Sequence, residues 1–135
     1  IGLSDWFIPY RHKQRIFYKL KKTTVREYLN QLIINSNNFG SLDEALSILE
    51  TTVSKYSYEN KVKAIKVITG HGTGRLRKIV RDWCEGQKGR FRGVIYGEDY
   101  DMFNQYAVNM RSDCHQPEDI DFGRNNSAIT YIWLR

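Results

Sequence analysis

Near the middle of this chain, an apolar segment leads through a glycine-rich loop into a half-apolar, basic segment, a pattern that few folds accommodate. Residues 63–69, KAIKVIT, are β-branched and apolar, which predicts a short strand buried on both faces. Residues 70–74, GHGTG, alternate glycine with other residues. The apolar residues that follow, at i, i+3, i+4 and i+7, predict a helix that leaves Arg75, Lys78 and Arg81 toward solvent: Leu76, Ile79, Val80 and Trp83.

The remaining elements complete an α/β pattern. Ser41 and Glu44 form a capping box, and the apolar spacing behind them predicts a helix from about residue 42 to 56. Residues 23–34 have helical apolar spacing, although Ile33 and Ile34 could instead begin a short strand. Strands are predicted within residues 89–97 and 127–134. This order predicts an α/β sandwich in which helices pack on a small mixed sheet.

The predicted domain spans residues 23–135 and includes an acidic, irregular insertion at about 98–126, with one helix around 102–110. A basic arm, residues 1–22, precedes it. The arm carries six Lys and Arg residues against one acid, for a charge of +5, and residues 75–92 carry seven against two, again +5. Residues 98–121 carry seven acids against one Arg, for −6. Basic blocks favour polyphosphate partners, although either block could be merely a solvated surface.

Other features narrow the setting of the chain. No apolar run has the length that a bilayer span needs, so no membrane partner is predicted. Cys84 and Cys114 have unlike surroundings, which predicts free thiols in a reducing compartment, with a single disulfide as the alternative. The expected localisation is therefore intracellular, in the cytoplasm or an organelle matrix such as that of the mitochondrion.

The glycine loop is suited to an anion. Unpaired N–H groups at a helix start attract phosphate, and glycines allow the backbone to approach it. Arg75 and Arg77 could each place a guanidinium on phosphate oxygens. The spacing matches neither GxxxxGK[ST] nor GxGxxG, so no nucleotide cofactor is predicted. His71 could hydrogen-bond a phosphate or act as a general acid or base, but it could also be simply exposed, and the loop could be a tight turn without a ligand.

The acidic insertion does not have the ligand spacing of a metal site. Cys114 and His115 are adjacent among scattered acids, which fits neither a structural zinc site nor an EF-hand, so no metal is predicted. A solvated acidic loop, or a patch that contacts a basic protein, accounts for this composition. Aromatic residues alternate with cations in the arm, and such mixtures either stack on unpaired bases or dock into a larger particle.

Taken together, VITGHGTGRLRKIV, the helix SLDEALSIL before it and the strand ITYIWL near the end resemble the Smr (small MutS-related) domain family over roughly residues 30–135. The resemblance implies a fold similar to the C-terminal domain of translation initiation factor 3. It also implies DNA or RNA binding, since family members bind either and several cleave or nick nucleic acid. The positions that match are Glu44, Ala45 and Leu46 in the helix and Thr69, Gly70, His71, Gly72, Thr73, Gly74, Leu76 and Arg77 in the loop and after it.

One departure bears on the activity. The family's first strand normally carries an LDLHG-like motif whose Asp and His are linked to cleavage, but the segment here, LIINSNNFGS, contains neither residue. Asn and Ser cannot supply the charge or the base. The prediction is therefore a non-catalytic domain that binds nucleic acid, with RNA favoured over DNA. It would act as a component of a ribonucleoprotein such as a ribosome, whose proteins it would contact through residues 1–22 and 98–121. The alternative is an endonuclease with His71 as the candidate catalytic residue, and the predicted nucleic-acid contacts are Thr69, Gly70, His71, Gly72, Thr73, Gly74, Arg75, Arg77, Lys78 and Arg81.

Overall fold

The computed structural model describes residues 25–28, 31–35, 41–69, 73–115 and 118–135, and for the first two ranges it describes the backbone alone. The predicted arm, residues 1–22, lies outside the described residues. The elements, in chain order, are β1 (Val25–Tyr28), β2 (Gln31–Asn35), α1 (Leu42–Glu59), β3 (Ala64–Ile68), α2 (Arg75–Glu85), β4 (Phe91–Tyr96), a 3-10 turn (Gly97–Asp99), α3 (Gln105–Asp113) and β5 (Ile129–Leu134).

The strands form one five-stranded mixed sheet in the order β1-β2-β3-β5-β4. β2 and β3 are parallel, and the other three neighbouring pairs are antiparallel. The register places Asn35 opposite Ile68, Ile68 opposite Ile129, and Tyr96 opposite Thr130. These residues therefore lie at one end of the sheet, called here the loop end because β3 leads from it into the glycine loop. The prediction of an α/β fold with a mixed sheet is confirmed.

Helices cover both faces of this sheet. Side chains along a strand point alternately to opposite faces, so β3 contributes to a core on each side. On one face Ile65 and Val67 of β3 pack with α1 and α2, in a core completed by Leu49, Val53, Val62, Val80, Cys84, Phe91, Ile132 and Leu134. On the other face Ala64 of β3 packs with α3 and the segments around it, in a core completed by Ile95, Tyr100, Ala107, Met110, Cys114, Ile129 and Tyr131. The prediction that β3 is buried on both faces is confirmed.

The first helix begins where the capping box predicts. Ser41 is the N-cap, and its hydroxyl accepts a hydrogen bond from the N–H of Glu44 at 3.1 Å. Ala45, Leu49 and Val53 form its buried stripe. The helix continues to Glu59, three residues beyond the predicted end, because its polar last turn contains no helix breaker. It ends at Asn60, which takes a left-handed conformation that Asn tolerates well.

Residues 25–28 and 31–35 form two strands, so the helical interpretation of this segment is wrong and the strand alternative at Ile33 and Ile34 is correct. β2 pairs with β3 and β1 pairs with β2. The apolar spacing in this segment is compatible with either period over so short a length. The free edge of β3 decides between them, because it offers backbone partners that a helix would leave unpaired.

The insertion is better ordered than the sequence indicates. It starts with the 3-10 turn, and α3 begins at Gln105 rather than near residue 102, because Asn104 is its N-cap and accepts from the N–H groups of Tyr106 and Ala107. The insertion covers one face of the sheet. Several of its acids are partners inside the fold, with Asp119 and Asp121 bound to Lys66 and Asp113 bound to the indole N–H of Trp133.

Candidate nucleic-acid interface

The start of the glycine loop is hydrogen-bonded to the residue that directly precedes β5, the neighbour of β3 in the sheet. The backbone N–H of Thr69 and its hydroxyl both donate to the carbonyl of Ala128, at 2.8 and 2.9 Å. Thr69 is buried, so its side chain anchors the loop and does not face solvent as a ligand contact would. Gly70, His71 and Gly72 lie outside the described residues.

The end of the loop leads directly into α2. Gly74 is the N-cap and has φ +87°, a conformation that favours glycine, and no side chain caps this helix. The guanidinium of Arg77 lies over Gly74, since a Cβ added there would be 2.9 Å from Nη2. Thr73 Oγ1 accepts from the N–H of Arg75 at 3.3 Å. The loop therefore places Arg75 and Arg77 in the first turn of α2. A larger residue at Gly74 would collide with the guanidinium of Arg77.

The first turn of α2 is basic and accessible. It contains no acidic residue. Arg75 is exposed, and its side chain has no hydrogen-bond or ion-pair partner within the described part of the chain. Lys78 is exposed and pairs with Asp82 at 2.8 Å, where both side chains are more than half exposed. Such a pair contributes little to stability and leaves Lys78 able to exchange partners.

Arg81 does not point to solvent, so that prediction is wrong. Its side chain is 12% exposed and pairs with Glu98 through two hydrogen bonds of 2.9 and 2.8 Å. It also donates to Thr130 and to the carbonyls of Ser127 and Ile129, and it stacks over the ring of Tyr96. These partners converge at the loop end of the sheet and attract the long side chain inward. Arg81 therefore supports the site from beneath and is not one of its accessible cations.

Glu98 is an acid bound to Arg81 of α2 and close enough to Arg77 for that charge to act on it, and the sequence patterns did not identify it. Hydrogen bonds from Arg81 chiefly lower the pKa of Glu98 below its usual range, burial opposes them, and the charge of Arg77 adds to the lowering. A signal for its position exists in the chain order. Glu98 directly follows β4, whose last residue lies at the loop end of the sheet.

The strand beside β3 ends next to the glycine loop. Asn35 is the last residue of β2 and lies opposite Ile68, one residue before Thr69. Neither β2 nor the stretch from residue 36 to 41 contains an Asp or a His. The strand that would bring these residues beside the loop is therefore present, and the two residue types are absent from it.

Other candidate sites give no evidence of a ligand. Within the described residues, no three His, Cys, Asp or Glu side chains come together as metal ligands would. Cys84 and Cys114 are buried in cores on opposite faces of the sheet and form no disulfide, so the alternative of a disulfide between them is wrong. Among the helices of the described ranges, none combines the length and apolarity that a membrane span requires.

The comparison with protein-family models agrees with the resemblance that the motifs indicate. A family model described as the Smr domain matches residues 40–94. No curated protein matches the sequence. Among solved structures, the Smr domain of MutS2 from Thermus thermophilus superposes with a TM-score of 0.48 at 15% identity, covering 78% of this chain and 98% of that domain. The matched residues include α1, β3, the glycine loop, α2 and most of β4. The resemblance of this chain to the Smr domain family is thereby confirmed over residues 40–94.

Proposed function

We propose that this chain binds nucleic acid by its phosphate backbone, through residues 70–74 of the glycine loop and the first turn of α2. The observation that carries the proposal is the helix start itself. Arg75 and Arg77 stand in a first turn without acids, behind a glycine N-cap without a side chain. The family match over the same residues supports it, because the Smr resemblance implies nucleic-acid binding.

The physical basis is the combination of backbone and side-chain donors. The first N–H groups of a helix have no partner within the helix, and its dipole favours an anion there. Two guanidinium groups add charge-assisted, bidentate contacts to phosphate oxygens. Phosphate contacts of this kind carry no base information. The proposed mode therefore binds many sequences and weakens as salt rises.

The finer proposal is that RNA is preferred over DNA and that the chain acts within a ribonucleoprotein. Its support lies in the arm, whose aromatic residues alternate with cations in the way that single-strand binders use to stack unpaired bases. Duplex DNA buries its bases, so it would engage the glycine loop but not the arm's aromatics. Tighter binding to single-stranded RNA than to duplex DNA is the expected signature.

We further propose that binding occurs without cleavage. A general base needs a carboxylate or imidazole that can accept a proton near neutral pH. Glu98 is engaged by Arg81, and its lowered pKa makes it a weak base. The strand beside β3 supplies no Asp or His. These observations support a domain that holds nucleic acid and leaves its backbone intact.

The binding proposal is tested by fluorescence anisotropy with the full chain, at low salt, on labelled single-stranded RNA and on duplex DNA of equal length. Arg75→Ala with Arg77→Ala is compared with Lys61→Ala with Lys88→Ala, two exposed cations away from the loop. We expect the first pair to weaken binding on the order of tenfold and the control pair far less. Undetectable binding, or equal losses in both variants, would refute the proposal.

Cleavage is tested separately, by incubating the chain and its His71→Ala variant with RNA and with supercoiled DNA. We expect both substrates to remain intact with either protein. Cleavage by the original chain that disappears in His71→Ala would instead establish the endonuclease alternative.

A further inference from the structure

Three large apolar side chains project into solvent at the start of α3. Met102 is 69% exposed, Phe103 89% and Tyr106 61%. Asp99 and Asp101 lie beside them, since the groove at this position is lined by Asp99, Asp101, Phe103, Asn104 and Gln105. We call this the aromatic-acidic surface: Asp99, Asp101, Met102, Phe103 and Tyr106. An exposed apolar group of this kind on a small domain is typical of an interaction site.

This surface is held in place by the fold. The side chain of Asp101 accepts from the N–H of Phe103 at 2.9 Å, and Asn104 caps α3 with bonds to the two N–H groups that follow Gln105. Behind it, Ala107 and Met110 are fully buried against the sheet. The apolar side chains are therefore presented to solvent by a fixed backbone.

Charge decides which kind of partner fits. Asp99 and Asp101 repel phosphate, so the exposed aromatic rings are poorly placed to stack on nucleic acid. The cation nearest in the chain, Arg111, is turned inward, with its guanidinium on the Tyr100 hydroxyl and over the Phe122 ring. The surface thus favours a partner that combines cations with aromatic or aliphatic side chains.

The chain contains such a segment in its own arm. Residues 1–22 have a charge of +5 and contain Trp6, Phe7, Tyr10, Phe17 and Tyr18. The arm also joins the domain near the loop end of the sheet. Val25 is level with Val67 through the register of β1, β2 and β3, which places it toward the loop end of the sheet. The aromatic-acidic surface begins at that same end with Asp99, in the turn after β4, and extends along the β4 edge to Tyr106, whose ring lies beside Gly93 nearer the other end.

The length of the arm is sufficient for the distance. β1 and β4 are the two outer strands, four strand spacings apart, or roughly 19 Å. A chain of 22 residues spans up to about 70 Å when extended. We therefore propose that the basic arm, residues 1–22, docks on the aromatic-acidic surface of the same molecule.

Docking would give the arm two competing electrostatic partners, the acidic residues of its own domain and the phosphates of a nucleic acid. This consequence rests on the proposed function, whereas the docking itself does not. A nucleic acid would bind with the arm only after displacing it, so loss of the aromatic-acidic surface would free the arm in advance.

The experiment is limited trypsin digestion of the full chain, with cleavage in the arm followed by mass spectrometry at its six Lys and Arg sites. The variant is Phe103→Ala with Tyr106→Ala. The matched control is Tyr58→Ala, because Tyr58 is 91% exposed but lies on α1, on the other face of the sheet. We expect cleavage in the arm to accelerate severalfold in the double variant and to stay unchanged in Tyr58→Ala.

A second variant keeps the apolar packing intact. Asp99→Lys reverses one charge at an exposed position, and we expect it also to accelerate cleavage in the arm. Equal cleavage rates in the original chain and in both variants would overturn the proposal. Protection that increases with protein concentration would overturn it as well, because the occupant would then be a second copy. Protection that is independent of concentration and lost in both variants is the supporting result.

Discussion

At the scale of single residues, the most consequential contact is a buried charge cluster. The side chain of Lys66 on β3 is 8% exposed and donates to Asp119 at 2.8 Å and to Asp121 at 2.5 Å. The Tyr131 hydroxyl donates to the other oxygen of Asp119 at 2.6 Å, and Asn126 donates to Asp121. Since these acids belong to the insertion and Lys66 belongs to the sheet, the cluster fastens one to the other.

Replacing Lys66 with Met should be strongly destabilising. The substitution leaves two carboxylates in the interior without their cation, which typically costs about 3–5 kcal/mol. The matched control is Lys78→Met, which removes an exposed pair with Asp82 and should change stability by about 0.5 kcal/mol or less. Urea unfolding of the two variants makes the comparison. Equal losses would show that the buried cluster contributes no more than a surface pair.

The same cluster has a pH signature. Burial acts to raise the pKa of Asp119, but the charge and hydrogen bond of Lys66 and the Tyr131 hydroxyl outweigh it, so the pKa lies below its usual range. A lowered carboxyl pKa contributes stability above the unfolded value of about 3.9, and that stability is lost as pH falls through the folded value. The free-energy difference between the original chain and Lys66→Met should therefore shrink below about pH 4. A difference that stays constant down to pH 2 would contradict this assignment.

The two cysteines should be inert in the folded protein. Burial raises the pKa of Cys84 and of Cys114 to about 12, so neither forms appreciable thiolate at pH 8. A thiol reagent should label both residues in denaturant and neither under native conditions, as counted by mass spectrometry. Rapid native labelling of either residue would show that its core opens readily.

Sequence patterns identified the accessible cations only in part. Arg75 and Arg81 both fall on the non-apolar side of the predicted helix, so periodicity predicts that both side chains are exposed to solvent. Their fates differ because Arg81 has partners from β5 and from the turn after β4, which are 17 or more residues away along the chain. Helical spacing carries no information about such contacts, since they exist only once the sheet has formed.

At the scale of elements, the position of the insertion depends on the junction at Gly97, where β4 leads into it. Gly97 follows β4 and is buried where the 3-10 turn begins. A Cβ at Gly97 would lie 1.9 Å from the carbonyl oxygen of Asn126 and 2.9 Å from that of Ile129. The two ends of the insertion therefore come together so closely that only glycine fits between them.

Gly97→Ala should accordingly unfold or displace the insertion. Backbone atoms cannot move aside as a flexible side chain can, so the cost should reach or exceed the roughly 1–3 kcal/mol typical of overpacking. Gly86→Ala is the control, because a Cβ there meets only ordinary contacts at 3.5 and 3.6 Å. Thermal unfolding should separate the two variants clearly. A Gly97→Ala protein as stable as Gly86→Ala would contradict the described junction.

Elements with one dominant signal were predictable and those with two were not. Ser41 and the stripe behind it specify α1, and the β-branched run before Gly70 specifies β3. In residues 25–35 the apolar residues fit a helix and a hairpin about equally. The free edge of β3, a tertiary feature, selects the strands. The junction at Gly97 could not be predicted from the sequence either, because the residues around Gly97 carry no information about its contact with the carbonyl of Asn126.

At the scale of the whole molecule, the net charge of +6 does not show which cations are accessible to a partner. Arg81 is bound to Glu98, and Arg90 is bound to Glu50, whose pKa is lowered to about 2, chiefly by the hydrogen bonds that Arg90 donates. Part of the second basic block, residues 75–92, is therefore neutralised by acids of the same domain. In the described part of that block, the cations offered together at one place are those at the start of α2.

The salt dependence of RNA binding is the most direct test of phosphate binding at the start of α2. Plotted as log K against log salt, each phosphate contact to a single strand contributes a slope of about 0.7. Arg75→Ala with Arg77→Ala should therefore flatten the slope by about 1.4, while Lys61→Ala with Lys88→Ala should leave it unchanged. That pair of results would establish contact between the helix start and phosphate. Equal slopes in the original chain and in the arginine variant would contradict the account.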